Sequence, residues 1–250
     1  MNYPVYSYPT ITIAGLVRDA VLLRRRLFRE DACACAARLS PPLRVGGKEN
    51  IPPGGRYVVT ANHYYRPGFN AWWMAIAVSS VIPGDIHWII TGELTFPGKW
   101  YAPLGRSLSR FILKRGGCVY GFTTMPPMPP RPHDVEARAA AVRTVLDHVR
   151  QTEDPIIGLA PEGGDQAGGR LTRPAPGVGR FGLLLAAQGL RFAPVGVCEA
   201  GGELCLRFGA VYDLGVQPGL SSGEKDEQAA QMMMEHIAPL LPSRLRGEFA

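Results

Sequence analysis

Two stretches of the sequence decide the fold: RYVVTANHYYRP, residues 56–67, and PIIGLAPEGGD, residues 155–165. Each contains a short run of β-branched or aliphatic residues, residues 56–60 and 156–159, which predicts a buried strand. Each run then ends in polar and glycine residues, with His63 after the first and Glu162 after the second. Loops at strand ends present side chains over a rigid base, so these two strand ends are the candidate chemical sites.

Predicted strands alternate with predicted helices along most of the chain. Further strands are predicted at residues 86–91, 118–122, 192–197 and 204–208, and helices at 12–39, 69–81, 98–113, 134–152, 177–189 and 224–241. This alternation predicts the α/β class, with a mixed, largely parallel sheet flanked by helices. We divide the chain into an N-terminal helical segment, residues 1–42, and one α/β domain, residues 43–250.

The composition is that of a globular protein without a disulfide framework or a metal site. Hydrophobic residues make up 46% of the 250 residues and charged residues 19%, which excludes a disordered chain. The five cysteines are odd in number and scattered along the chain. Cys33 and Cys35 lie close together, but no second ligand pair follows at zinc-finger spacing, so we interpret them as buried apolar residues and expect no metal.

Positive charge is concentrated near the N-terminus of a chain whose net charge is +6. Arg18, Arg24, Arg25, Arg26 and Arg29 are interleaved with apolar residues. This pattern is typical of a basic amphipathic helix on a membrane surface, although an ordinary helix with a solvated basic face explains it equally well. A nucleic-acid partner is not expected, because no aromatic residues are interleaved along a basic groove.

The sequence predicts a cytoplasmic protein that associates peripherally with the inner face of the membrane. No uninterrupted apolar run reaches the roughly 18 residues that a membrane-spanning helix needs. The N-terminus also lacks the basic start, apolar middle and small-residue cleavage site of a secretory signal.

Several short motifs follow the two predicted strands in order. Asn62 and His63 follow the first strand, and PEG, residues 161–163, follows the later one. GRL at residues 169–171 and PAPG at residues 174–177 come next. In their order and spacing these motifs resemble the lysophospholipid and glycerol-3-phosphate acyltransferase family. The match extends in order over most of residues 43–214, and it implies a glycerolipid acyltransferase-like fold preceded here by N-terminal amphipathic helices.

The resemblance implies an O-acyltransferase of lipid metabolism, in phospholipid biosynthesis. Such an enzyme moves a fatty acyl group from an acyl thioester to a lipid-like acceptor hydroxyl. The donor is acyl-CoA or acyl-carrier protein, a co-substrate rather than a cofactor. In the family the histidine deprotonates the acceptor hydroxyl, so His63 is the implied general base. Glu162, together with Gly163, is implied to help form the acceptor site, and Glu162 is the second candidate catalytic residue. The other candidate substrate-binding residues are Asn62, Arg66, Gly164, Asp165 and Arg173.

One departure from the family's pattern removes a catalytic carboxylate. Five residues after its histidine the family has an aspartate that orients the imidazole, and this chain has Gly68. Asn70 is the nearest substitute in sequence and is the third candidate catalytic residue, but a neutral amide stabilises an imidazolium less than a carboxylate does. Asp165 or Glu162 could instead reach across the cleft and hold His63.

Other departures affect the predicted acceptor site. Gly164 and Asp165 stand where the family has threonine and arginine, and PAP at residues 174–176 replaces a phenylalanine–lysine pattern. An aspartate near a phosphate dianion is repulsive in a dry cleft. The acceptor could therefore lack a phosphate, or the missing cation could come from a neighbouring arginine, of which the candidates are Arg66, Arg170 and Arg173.

Two alternative functions remain from the sequence. The altered positions Gly68 and Asp165 also fit a catalytically inactive descendant that binds lipid or a protein partner. A carboxylate within about 2.6–3.2 Å of a ring nitrogen of His63 would count against that alternative. A nucleotide-binding α/β protein is disfavoured, because neither G-x-G-x-x-G nor a Walker loop follows a predicted strand.

Overall fold

The computed structural model describes residues 3–96, 98–128 and 131–250, and these residues form one seven-stranded sheet with helices on both faces. The strands are β1 Arg44–Gly46, β2 Tyr57–Ala61, β3 Ile86–Thr91, β4 Thr123–Met125, β5 Ile156–Leu159, β6 Arg191–Ala200 and β7 Glu203–Phe208. Their order across the sheet is β1-β7-β6-β2-β5-β3-β4. Neighbouring strands are parallel except β6 and β7, which form an antiparallel hairpin. The predicted α/β class with a mixed, largely parallel sheet is confirmed.

Helices connect the successive strands from β2 to β6, and helices cover the two faces of the sheet. They are α1 Thr10–Leu22, α2 Phe28–Ala36, α3 Trp72–Val81, α4 Ala102–Tyr120, α5 Val135–Gln151, α6 Val178–Ala186 and α7 Ser222–Ile237. Side chains of β2 alternate between two apolar clusters: Tyr57, Val59 and Ala61 join α2 and α3, while Val58 joins α5, α6 and α7. Successive side chains of a strand point to opposite faces, so the central strand is buried on both sides.

The region predicted to be helical, residues 12–39, contains two helices, because the chain breaks between α1 and α2. Leu23 adopts a left-handed conformation with φ of 55°, and the Arg24 backbone N–H donates to the Asp19 carbonyl. In the break, the guanidinium of Arg26 donates to the carboxylates of Asp19 at 2.7 Å and Asp31 at 2.6 Å. Arg26 thus joins the two helices, and the arginine cluster does not lie on a single helix face.

The strand predicted at residues 118–122 is wrong. Residues 118–120 form the last turn of α4, which is longer than predicted, and Gly121 with φ of 73° ends that helix. Glycine is favoured at this position because the left-handed conformation carries little steric cost without a Cβ. The strand β4 begins only at Thr123.

The two N-terminal helices contact different parts of the molecule. Helix α2 packs against α3 and contributes Phe28 and Ala32 to the core. Helix α1 packs against α4, and Asp19 is its only buried residue. Within the described part of the chain, no helix combines the length and the apolar character needed to cross a bilayer.

Candidate active site

The parallel pairing of β2 and β5 brings the two candidate strand ends together. Thr60 lies beside Leu159 in register, so both strands end at the same edge of the sheet. We name the following segments the histidine loop, residues 62–71, and the glutamate loop, residues 160–177. The backbone N–H of His63 donates to Glu162 Oε2 at 2.6 Å, which ties the two loops to each other directly.

Glu162 is a buried carboxylate held by backbone amides. It is 5% exposed, and its second oxygen accepts a hydrogen bond from the Thr172 backbone N–H at 3.1 Å. Burial raises the pKa of Glu162 to about 7, although the two amide hydrogen bonds and the nearby His63 partly oppose the shift. Each carboxylate oxygen therefore accepts a backbone hydrogen bond, one from the histidine loop and the other from the glutamate loop.

The imidazole of His63 lies beside Asp165 of the glutamate loop. Its Nδ1 is 3.1 Å from Asp165 Oδ1, with the histidine side chain 18% exposed and the aspartate side chain 53% exposed. The pair is within hydrogen-bond distance but is not aligned as a hydrogen bond, and Nδ1 has no other hydrogen-bond partner in the described residues. The carboxylate nearest this ring thus comes from the second loop rather than from the segment that follows the histidine.

Asn62 joins the histidine loop to the neighbouring strand β6. Its Nδ2 donates to the Val197 carbonyl at 2.9 Å, and its Oδ1 accepts from the Val197 backbone N–H at 2.7 Å. The side chain is 1% exposed. The amide replaces a pair of main-chain hydrogen bonds beyond the end of β2, and this contact fixes where the histidine loop leaves the sheet.

Arg66 is held by a buried carboxylate on β6. Its Nη2 lies 2.7 Å from Glu199 Oε1, and its Nε donates to Glu199 Oε2. The Tyr64 hydroxyl donates to Oε2 at 3.1 Å and the Tyr6 hydroxyl to Oε1 at 2.6 Å. Arg66 is therefore already paired within the protein.

Asn70 and Arg173 make their hydrogen bonds away from His63. Asn70 is exposed, accepts from the Trp72 backbone N–H at 3.1 Å, and donates to the Tyr8 hydroxyl at 3.3 Å. Arg173 is exposed and pairs with Glu248 at 2.8 Å and Glu227 at 3.5 Å. His63 thus contacts both Glu162 and Asp165. Within the described residues, neither Asn70 nor Arg173 makes a hydrogen bond or an ion pair with His63.

Two glycines allow the glutamate loop to approach its neighbours closely. A Cβ on Gly169, whose φ is 63°, would lie 2.5 Å from the Tyr65 carbonyl oxygen of the histidine loop. A Cβ on Gly163, whose φ is 73°, would lie 2.7 Å from Cγ of Met128. Gly164 has open space around its missing Cβ. The glycine-rich sequence of this loop thus permits the close packing that brings Asp165 to His63.

Comparison with known proteins gives a family and a fold. The family model described as Acyltransferase matches residues 42–197, which is more than half of the chain and includes His63 and Glu162. The chain belongs to the acyltransferase family. No curated protein matches it.

A solved structure of the 1-acyl-sn-glycerophosphate (LPA) acyltransferase PlsC from Thermotoga maritima is similar to this acyltransferase. The two share 14% sequence identity over 89% of this chain and 85% of the other, with a TM-score of 0.50. At this identity the similarity establishes the fold. It confirms the expected glycerolipid acyltransferase-like architecture.

Glu199 of this acyltransferase was missed by sequence reasoning. It lies on β6, in a run of apolar residues that predicts only a buried strand, and it is separated from Arg66 by 133 positions. Glutamate is almost never fully buried unless it is paired. A glutamate within an apolar segment therefore indicates a positively charged or hydrogen-bonding partner, but the sequence does not identify Arg66 as that partner.

The raised pKa of Glu162 predicts a pH-dependent contribution to stability. Because the folded-state pKa of about 7 exceeds the ordinary value of 4.5, the folded state binds this proton more tightly than the unfolded state. The stabilisation is complete below pH 4.5 and is lost as the pH rises through 7. At about 1.4 kcal/mol per pKa unit, the loss amounts to about 3 kcal/mol.

Urea unfolding of the wild type and Glu162→Gln at pH 5 and pH 8 measures this contribution. We expect the stability advantage of the wild type over Glu162→Gln to shrink by up to about 3 kcal/mol between these pH values. The exposed Glu153→Gln is the matched control and should show a constant difference from the wild type. An equal difference at both pH values for Glu162→Gln would contradict the prediction.

Proposed function

We propose that this acyltransferase moves a fatty acyl group from an acyl thioester to a lipid-like acceptor hydroxyl, with His63 as general base. The observation that carries the proposal is the position of Asp165, whose carboxylate lies 3.1 Å from Nδ1 of the His63 ring. A histidine beside a carboxylate, at the edge where parallel strands end, has the arrangement that general-base catalysis requires. The inactive alternative offers no reason for this convergence.

The proposed reaction is a direct acyl transfer. With Nδ1 of His63 beside Asp165, Nε2 takes the proton of the acceptor hydroxyl. The oxygen attacks the thioester carbonyl carbon, an ester bond forms, and the carbon–sulfur bond breaks. The proton then passes from the imidazolium to the leaving thiolate. The donor is acyl-CoA or acyl-carrier protein as co-substrate, and this chemistry needs no resident cofactor or metal.

Asp165 supplies the carboxylate that Gly68, which has no side chain, cannot supply. A negative carboxylate beside the ring favours the imidazolium that forms during the reaction and holds the ring in one orientation. The φ of Gly68 is 80°, a conformation that an L-residue rarely adopts, so an aspartate at that position would be strained. The carboxylate is instead supplied by the facing loop.

Asp165→Asn should lower kcat by about 10-fold to 100-fold, less than the roughly 10⁴-fold loss at a buried triad aspartate. The smaller effect follows from the 53% exposure of the Asp165 side chain, because solvent screens the interaction. The control is Asp213→Asn, which removes a more exposed surface pair with Arg191. A kcat for Asp165→Asn equal to that of the control would exclude Asp165 from catalysis.

The charges around the site favour an acceptor without a phosphate. Arg66 and Arg173 are each paired with glutamates, and Asp165 adds a negative charge beside His63. Arg66 and Arg173 therefore offer no free guanidinium to a phosphate dianion. Of the three candidate arginines, only the exposed Arg170 has no ion pair in the described residues. We propose a neutral lipid alcohol, such as a monoacylglycerol, as the acceptor class.

A panel of donors and acceptors tests the function and the acceptor class together. Acyl-CoA and acyl-carrier protein are each combined with monoacylglycerol, a long-chain alcohol, a lipid amine, glycerol 3-phosphate and lysophosphatidate, using the wild type and His63→Ala. We expect transfer by the wild type alone and faster transfer to the neutral alcohols. Equally little transfer by both proteins to every acceptor would overturn the function, and preference for the phosphorylated acceptors would overturn only the acceptor class.

We also propose peripheral binding to the anionic inner face of the cytoplasmic membrane, through a surface shared by α1 and α4. These helices pack against each other and expose apolar side chains that we name the α1–α4 surface: Ile11, Val17, Val21, Leu22, Leu104, Leu108, Phe111 and Ile112. Phe111 is 60% exposed and Val21 is 73% exposed. Exposed basic residues lie on the same helices and in the adjoining break, among them Arg18, Arg24, Arg25, Arg106 and Lys114. Apolar and basic side chains together suit an anionic lipid surface.

Vesicle sedimentation tests this surface. The wild type should bind vesicles that contain phosphatidylglycerol more tightly than pure phosphatidylcholine vesicles. Val21→Glu combined with Phe111→Glu should weaken binding at least about 10-fold, because each side chain would lose a favourable transfer from water. Leu184→Glu changes an exposed leucine on α6 and is the control. Wild-type binding by the double variant, or no wild-type binding to either vesicle, would contradict the proposal.

A further inference from the structure

The first described residues of the chain lie against the histidine loop. Tyr6 donates its hydroxyl to Glu199 Oε1 at 2.6 Å. Its ring lies 5.7 Å from that of Phe69 and 4.9 Å from that of Trp73, measured between centroids. A residue near the N-terminus thus contacts the carboxylate that holds Arg66 as well as two aromatic side chains around the end of the loop.

Two further tyrosines contact the same loop. The Tyr3 ring centroid lies 3.7 Å from Cζ of Arg66, within the range of a cation–π interaction. The Tyr8 hydroxyl accepts from Nδ2 of Asn70 at 3.3 Å, and its ring centroid is 5.2 Å from that of Trp73. We name residues 3–8 the tyrosine segment, since its three tyrosines contact separate points between Arg66 and Trp73.

Glu199 connects this segment to Arg66. Its side chain is 4% exposed and accepts hydrogen bonds from Tyr6, Tyr64 and Arg66. A buried carboxylate depends on its donors, because burial without partners is costly. Burial and the adjacent Glu199 carboxylate both raise the pKa of Tyr6, so its hydroxyl keeps the proton that it donates. The Tyr6 bond therefore helps to fix the carboxylate to which Arg66 is bound.

The tyrosine segment has its own attachment, which does not involve Tyr6. The backbone of Val5 donates to the Ser40 carbonyl at 2.7 Å and accepts from the Ser40 N–H at 3.3 Å. Removing the Tyr6 hydroxyl should thus leave the segment in place. Tyr6→Phe also keeps the aromatic ring beside Phe69 and Trp73, so the substitution isolates the hydrogen bond.

We propose that the tyrosine segment positions the histidine loop, and that Tyr6 is a positioning residue for the acyl-transfer reaction. This inference rests on the proposed function for its catalytic consequence. The loop contains no regular secondary structure between Asn62 and Asn70, and the orientation of His63 depends on where this backbone lies. Tyr6 acts through Glu199 and Arg66, three residues beyond His63, and it does not touch the reacting atoms.

The chain offers a matched control for Tyr6→Phe. The Tyr120 hydroxyl donates to Asp31 at 2.8 Å, and Asp31 also binds the guanidinium of Arg26 at 2.6 Å. Tyr120→Phe therefore removes the same kind of tyrosine–carboxylate–guanidinium contact from a place where neither bond involves the histidine loop. Thermal unfolding should show similar shifts for the two variants.

Kinetics and hydrogen exchange of the full chain test the proposal. Tyr6→Phe should lower kcat by about 10-fold to 100-fold, as expected for a displaced catalytic group, with KM changed less than kcat. Backbone amide exchange at residues 63–70 should accelerate in Tyr6→Phe and stay at the wild-type rate in Tyr120→Phe. Equal kcat losses in the two variants, or unchanged exchange at residues 63–70 in Tyr6→Phe, would overturn it.

The two measurements separate this proposal from the proposed function. If the wild type transfers no acyl group, the proposed function fails, and the exchange of residues 63–70 still decides whether Tyr6 orders the loop. If the wild type is active and exchange accelerates while kcat stays unchanged, Tyr6 orders the loop without positioning the reaction. That outcome would overturn the catalytic part of the inference.

Discussion

Replacing His63 by glutamine should lower kcat for acyl transfer by about 10²-fold to 10⁴-fold, the range that a positioned general base contributes. Glutamine is polar and similar in length, but its amide cannot take a proton from a hydroxyl near neutral pH. The contact of this residue with Glu162 is made by the backbone N–H and not by the ring. The tie between the two loops should therefore survive the substitution.

The measurement is the initial rate of ester formation with the best donor and acceptor from the panel, together with thermal unfolding. We expect the unfolding temperature of His63→Gln to stay close to that of the wild type. His133→Gln is the control, because His133 is a surface residue whose side chain is 73% exposed. A kcat for His63→Gln within about twofold of the wild type would exclude His63 as the base, since general-base catalysis contributes far more.

Glu199→Ala should lower the free energy of unfolding by about 3–5 kcal/mol, because it leaves the partly buried Arg66 without its counter-charge. The side chain of Arg66 is 16% exposed and pairs through two nitrogens with the carboxylate. The hydroxyls of Tyr6 and Tyr64 would lose their acceptor at the same time. We expect a large loss of stability together with a more mobile histidine loop.

Urea denaturation measures the stability change, and Glu203→Ala is the matched control. Glu203 is also a glutamate of the β6–β7 hairpin, but its pair with Arg44 at 3.5 Å is largely exposed. An exposed pair contributes about 0–1 kcal/mol. The double variant Arg66→Ala with Glu199→Ala should recover part of the loss, because the uncompensated charge is then absent. A loss below about 1 kcal/mol for Glu199→Ala would show that the pair does not hold the loop.

Local sequence was sufficient for the central strands. The run Tyr57–Ala61 consists mainly of residues that favour strands, and both faces of β2 are covered in the structure. The boundaries of β3 and β5 agree with the prediction at residues 86–91 and 156–159. These segments were predictable because parallel strands that are buried on both faces have nearly continuous apolar sequences.

Local sequence was insufficient where distant residues set the backbone. The break after Leu23 is secured by Arg26, which bridges Asp19 and Asp31, and no single window of apolar periodicity reports such a bridge. The edge strand β1 has three residues, none of them buried. Its partner β7 is adjacent in the sheet but far away in the sequence. Strand β1 was not predicted for this reason.

For the candidate site, the sequence by itself determined the residue types and the two strand ends that carry them, His63 after β2 and Glu162 after β5. Only the tertiary structure decided that Asp165, and not Asn70, lies beside the imidazole, and that Arg66 is bound to Glu199. The physical reason is that apolar periodicity is a local property of the chain. A hydrogen bond or an ion pair between loops depends on which strands are neighbours in the sheet and where each of them ends.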